Sequence, residues 1–124
     1  ASPDSINSNI DALFDYAKTG QKIVVLGDVL ELGEQSEKLH RGIGEFIVEE
    51  AQKGKILDLV VTVGEGASFI AKQVEETSNI AVKNCKDNEE AAAFVKKCAK
   101  EGDWILVKGS RGMHMDEVVQ KVVM

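Results

Sequence analysis

Short β-branched runs alternate with helical stripes along this chain, and that alternation constrains the fold more than any other feature. Lys22 to Leu26 is too short a run for a helix and stops at Gly27. Leu59 to Val63 is a second buried run, stopping at Gly64. Ile80 to Lys83 is weaker and more polar, as expected of a strand at a sheet edge. Trp104 to Val107 is the fourth. Around them apolar residues recur at helical spacing. The stripes are Ile6, Ile10, Leu13, Phe14 and Ala17; Leu39, Ile43, Phe46, Ile47 and Ala51; Ala67, Ile70, Ala71 and Val74; Ala91, Phe94, Val95 and Cys98; and Met115, Val118, Val119 and Val122.

Helix punctuation agrees with this reading. Ser2, Pro3 and Asp4 read as N-cap, first helical residue and first-turn acid, and Gly20 stops that helix. Ser36 can cap the second helix, and Asp87 with Glu90 makes a capping pair for the fourth, which Gly102 ends. The order α-β-α-β-α-β-α-β-α implies right-handed crossovers and a parallel sheet covered on both faces. The expected fold is a Rossmann-like, doubly wound α/β domain over residues 1–124, with four main strands in the order 3-2-1-4.

Composition narrows the class. Hydrophobic residues make up 44% of the 124, enough to bury a core. The longest apolar runs have the length of a strand, so no segment is expected to span a membrane. A net charge of −6 and a pI near 4.9 argue against a nucleic-acid partner. Cys85 and Cys98 are the only cysteines and form no C-x-x-C, which reads as two reduced thiols in a cytosolic protein. No basic, apolar signal segment opens the chain. Its start, Ala-Ser-Pro-Asp-Ser without an initiator Met, is read as a piece of something longer, with a processed terminus as the other option.

The stretch richest in chemistry is Lys108-Gly109-Ser110-Arg111-Gly112, directly after the fourth strand. Two glycines, a hydroxyl and two cations at the carboxyl end of a strand suit an anionic ligand. The loop lacks G-x-x-x-x-G-K-[ST] and is no P-loop, and Gly64-Glu65-Gly66 is followed by Phe69, so the dinucleotide fingerprint fails as well. In the order 3-2-1-4 the switch point lies between the first and fourth strands. An acidic loop, Gly27-Asp28-Val29-Leu30-Glu31-Leu32-Gly33-Glu34, would then face the basic one, which suits a zwitterion with ammonium and carboxylate ends. Bland readings stand beside these. Lys108 and Arg111 can be solvated loop cations, Gly109 and Gly112 can serve turn geometry alone, and Glu34 reads as a surface acid. A metal at Asp28, Glu31 and Glu34 matches no calcium-loop spacing. His40 reads as a packing or polar-face residue and His114 similarly, though closer to the basic loop. Trp104 is expected in the core, with Met113 and Met115 as packing.

Two stretches carry a family resemblance. Val25-Leu-Gly-Asp-Val-Leu-Glu-Leu-Gly-Glu-Gln-Ser-Glu-Lys-Leu-His40 and Val107-Lys-Gly-Ser-Arg-Gly-Met-His-Met115 resemble signatures of the Mur ligases, in the branch that adds D-alanyl-D-alanine. Thr62-Val63-Gly64 and the opening Ala1-Ser2-Pro3-Asp4-Ser5 sit where that family has similar elements, so the similarity covers essentially the whole chain. The resemblance implies the C-terminal domain of a bacterial, cytoplasmic three-domain enzyme of peptidoglycan synthesis. An N-terminal domain holds UDP-N-acetylmuramoyl-tripeptide, and a central domain with a P-loop holds ATP and magnesium. The C-terminal domain brings the incoming D-Ala-D-Ala and closes over the nucleotide. ATP phosphorylates the tripeptide carboxylate, and the dipeptide amine attacks the acyl phosphate. On that resemblance Asp28, Glu31, Lys108, Gly109, Ser110, Arg111 and Gly112 are candidate dipeptide-binding residues. Ser2 and Pro3 follow a family segment that helps contact ATP, although the family often has Asn where Ser2 stands. The chain by itself is expected to fold but to hold no catalytic residue and no metal.

Two other classes bear on this. A phosphoacceptor receiver domain has this size and winding, but it needs an acidic pair ending the first strand and an Asp ending the third. Here those places hold Leu26-Gly27-Asp28 and Lys83-Asn84-Cys85. A non-catalytic Rossmann-like module that binds a ligand or a partner shares every fold-level feature and stays open on these residues.

Overall fold

The computed structural model describes residues 1–123. Five α-helices alternate with four strands: α1 (Pro3–Tyr16), β1 (Lys22–Gly27), α2 (Ser36–Gln52), β2 (Leu59–Val63), α3 (Ala67–Thr77), β3 (Val82–Cys85), α4 (Asn88–Cys98), β4 (Trp104–Lys108) and α5 (Asp116–Val123). All strand pairings are parallel, in the order β3-β2-β1-β4, as the alternation predicts. The register pairs Val25 with Val61 on one side and with Val107 on the other.

Side-chain alternation along the central strands builds two cores. Val24, Leu26 and Val60 face α1, α2 and α3, where Ile6, Ile10, Ile43, Ile47, Ile70 and Val74 close the layer. Ile23, Val25, Val61 and Val63 face α4 and α5, against Ala91, Val95, Met115 and Val118. The two inner strands are buried almost throughout, as parallel strands covered on both faces must be. The edge strands β3 and β4 are only partly covered.

Local chemistry explains the helix starts. Ser2 and Ser5 form a reciprocal capping box around Pro3. Asp87 accepts the Glu90 N–H at 2.8 Å, while the Glu90 carboxylate accepts from Lys86 N at 2.7 Å, one residue short of the expected return bond. Several expectations shift. Ser36 is the first residue of α2 rather than its cap, because a 3-10 turn over Gly33–Gln35 leads directly into the helix. β3 begins at Val82, two residues late, since pairing to β2 runs from Val60–Val82 to Val63–Cys85. Helix α1 ends at Tyr16 and α4 at Cys98, ahead of Gly20 and Gly102. Leu39 lies on the exposed side of α2. Trp104 is 42% exposed and not in the core, because it opens an edge strand whose outer side no element covers. Among the described residues, no helix is long and apolar enough to cross a membrane.

Candidate functional site

The parallel register Leu26–Lys108 delivers two loops side by side at the carboxyl edge of the sheet. They are stitched together directly. Ser110 N–H donates to the Asp28 carbonyl at 3.0 Å, and Ser110 Oγ accepts the Leu30 N–H at 2.8 Å. Close approach here depends on Gly109. A Cβ at that position would lie 2.7 Å from Met115 Cγ and 3.2 Å from Gly27 Cα.

Asp28 is held from a third element. Its Oδ1 accepts the Ala67 N–H at 2.6 Å, at the start of α3. Gly66, the residue before α3, has no side chain with which to cap that helix, so the carboxylate of the β1 loop does it from across the sheet edge. The loop then turns through two left-handed residues, Glu31 at φ 64° and Gly33 at φ 61°. A non-glycine residue there stores strain of about 1–3 kcal/mol, and Glu31 is exposed.

The cations of the second loop are differently placed. Lys108 ends β4 and is partly buried, while Arg111 is exposed in a 3-10 turn over Arg111–Met113. Among the described residues, neither makes a salt bridge or a side-chain hydrogen bond. The far end of this loop is tied down by Asn88 at the start of α4. Its Nδ2 donates to the carbonyls of Met113 at 2.8 Å and His114 at 3.2 Å. His114 adopts a left-handed conformation, φ 50°, and is exposed. The two cations therefore stand on a segment fixed at both ends, beside an acidic loop.

The structure thus brings together the backbone of Asp28, Leu30, Gly109 and Ser110, and it sets Glu31 and Arg111 on adjoining loops. An open cavity of about 440 Å³ at this edge lies on the α2 and α3 side of the acidic loop. Asp28, Glu31, Glu34, His40, Glu65 and Phe69 are among its lining residues, and none of Lys108 to Gly112 is. Ser2 spends its hydroxyl on the Ser5 N–H at 3.1 Å, and Pro3 is the first residue of α1. His40, which the sequence leaves as a packing or polar-face residue, lines this cavity. It is fully buried and bonded to the acidic loop through Val29 N–H, at 3.0 Å. The one sequence signal is its spacing of four from Ser36 on a helix that follows the loop directly. The residues present do not by themselves fit a nucleotide–magnesium centre. The sequence carries no P-loop, and among the described residues no three His, Cys, Asp or Glu side chains converge on a point.

A four-stranded parallel α/β unit with the loops after β1 and β4 meeting at its switch point is a Rossmann-like, doubly wound domain. The family follows from comparison. A model of the Mur ligase glutamate ligase domain matches residues 1–111, and the chain belongs to that family. Its relatives include the UDP-N-acetylmuramoyl-tripeptide–D-alanyl-D-alanine ligase of Bacillus subtilis (strain 168), 33% identical over 124 residues, covering 99% of this chain and 26% of the relative. The enzyme of the same name from Escherichia coli (strain K12) is 31% identical, over 94% of this chain and 25% of the relative. Among solved structures, MurF from Acinetobacter baumannii superposes with a TM-score of 0.82 at 28% identity, over 98% of this chain and 26% of that one. MurF ligase from Thermotoga maritima, solved in complex with ADP, superposes with a TM-score of 0.76 at 28% identity, over the same shares. The chain spans about a quarter of the length of the relatives it matches.

Proposed function

We propose that this chain is the C-terminal, amino-component domain of a three-domain, ATP-dependent ligase that adds D-alanyl-D-alanine to UDP-N-acetylmuramoyl-tripeptide in bacterial peptidoglycan synthesis, in the cytoplasm. The observation that carries the reading is the stitching of the Asp28 loop to the Lys108–Gly112 loop, where two cations without side-chain partners among the described residues stand beside an acidic loop. The names of the relatives support the substrate class. ATP and magnesium would activate the tripeptide carboxylate in parts of the ligase outside this chain, with Ser2 and Pro3 facing the nucleotide-binding part.

The dipeptide carboxylate needs donors. The Arg111 guanidinium can hold it with two parallel hydrogen bonds, and Lys108 adds a point charge. The backbone N–H groups of Gly109 and Gly112 add neutral donors. Ser110 Oγ already accepts from Leu30, but its own O–H remains a donor. At the other end of the dipeptide, Glu31 and the second oxygen of Asp28 can orient the ammonium group. A protonated amine is no nucleophile, so it must lose a proton before attack.

Replacing Arg111 tests the reading in the full ligase. A lost charge-assisted bond costs about 1.5–3 kcal/mol, or roughly ten- to a hundred-fold in affinity. Arg111→Ala is expected to raise KM for D-Ala-D-Ala by that factor and to leave KM for ATP nearly unchanged. An unchanged dipeptide KM in a well-folded variant would make this cation solvated surface.

A further inference from the structure

The imidazole of His40 is completely buried, and no step proposed above uses it. Both of its ring nitrogens are engaged. Nε2 lies 3.0 Å from Val29 N, and a backbone N–H can only donate, so Nε2 accepts. Nδ1 lies 2.7 Å from the Ser36 carbonyl oxygen, which can only accept, so Nδ1 carries the proton. Ser36 Oγ, at 3.3 Å, shares that edge of the ring. The surroundings thus select one of the ring's three protonation forms, the neutral one with hydrogen on Nδ1.

The bond to Val29 completes a clamp. Asp28 Oδ1 is held by Ala67 N–H, the Asp28 carbonyl by Ser110 N–H, and Leu30 N–H by Ser110 Oγ. Among the described residues Val29 N–H is held by His40 alone, at the point where the chain leaves β1 for the left-handed turn at Glu31. The ring reaches this position across Gly66, where a Cβ would stand 2.6 Å from His40 Cε1 and 3.2 Å from Asp28 Cγ.

We infer that His40 is a positioning residue: its neutral, Nδ1-protonated ring fixes the 28–34 loop and so sets where Asp28 and Glu31 meet the amino component. The part concerning the substrate rests on the ligase reading above, whereas the clamp stands on geometry alone. Two amide replacements separate a positioning role from simple packing. In His40→Gln the amide reaches the Nε2 position and can still accept from Val29. In His40→Asn it reaches only the Nδ1 position.

Nitrogen-15 spectra of the imidazole in the unmodified chain should show a protonated Nδ1 and a bare Nε2. Amide exchange at Val29 should rise about tenfold or more in His40→Asn, as expected for one lost hydrogen bond, and stay near its original rate in His40→Gln. In the full ligase, His40→Asn should raise KM for D-Ala-D-Ala about as much, with KM for ATP unmoved, and His40→Gln should restore it. A proton found on Nε2 in the unmodified chain would overturn the inference without any variant having to fold. So would equal loosening of Val29 in both variants. Loosening of Val29 confined to His40→Asn, with the dipeptide KM unchanged, would support the clamp and overturn the ligase reading of this loop.

Discussion

Single atoms decide whether the site keeps its shape. Gly66 is one such case, because Asp28 and His40 both press on its bare face. Gly66→Ala must displace a buried ring or the start of α3, and overpacking of this kind costs about 1–3 kcal/mol. A urea midpoint unchanged from that of the unmodified chain would show that the space is looser than the geometry requires. Asp28→Ala removes the cap of α3 and leaves the Ala67 N–H without its partner, a loss of about 0.5–2 kcal/mol. Arg111→Ala, at an exposed residue, should stay within about 0.5 kcal/mol of the unmodified chain. That contrast separates the two kinds of residue that sequence reading groups in one site. Asp28 and Ser110 support structure through hydrogen bonds across the sheet edge, and no local pattern announces such bonds, since each depends on a partner dozens of residues away. Lys108 and Arg111 stand out in the sequence as candidates because cations in a glycine loop after a strand need no partner to be noticed.

At the scale of elements, strand order follows from the alternation and the handedness of crossovers. What escaped was the behaviour of the sheet edges. β3 starts two residues late because its apolar pattern is weak and pairing to β2 sets the register. Trp104 reads as core by its size, yet it opens β4 on the uncovered side. The other anchor at that end is Asp103. Its carboxylate accepts Gln21 N–H at 2.9 Å, Gln21 Nε2 at 2.7 Å and Lys100 N–H at 2.8 Å, joining the starts of β1 and β4. Those backbone donors, Gln21 first, hold its carboxyl below the usual aspartate range. A depressed folded value contributes stability above the unfolded value of about 3.9, and that contribution fades as pH falls through the folded value. Asp103→Asn should therefore flatten the acid limb of stability against pH. An acid limb identical in the variant would remove Asp103 from the account.

Across the whole molecule, two cores share one sheet, so thermal or urea unfolding should be a single transition seen alike by every probe. Cys85 offers a local reporter. It is 2% exposed, and burial, aided by the negative charge of Glu90, pushes its thiol up to about 11. Under native conditions at pH 8, alkylation should modify the partly exposed Cys98 first and reach Cys85 only as the chain unfolds. Equal rates at the two thiols in the folded chain would contradict the packing of β3 against α4. The purified chain should also show no magnesium-dependent ATP turnover. Robust turnover would move the chemistry of the proposed ligase into this domain.

The bond from Leu30 to Ser110 spans 80 positions. During synthesis at about 5–20 residues per second, roughly 4–16 s separate the appearance of its two ends. Throughout that interval the acidic loop can gain its contacts to α2 and α3, but it lacks the loop after β4. The nascent domain therefore passes through a period in which the acidic loop exists without the loop it is bonded to. The proposed amino-component site would be assembled only when β4 docks, in a single late event.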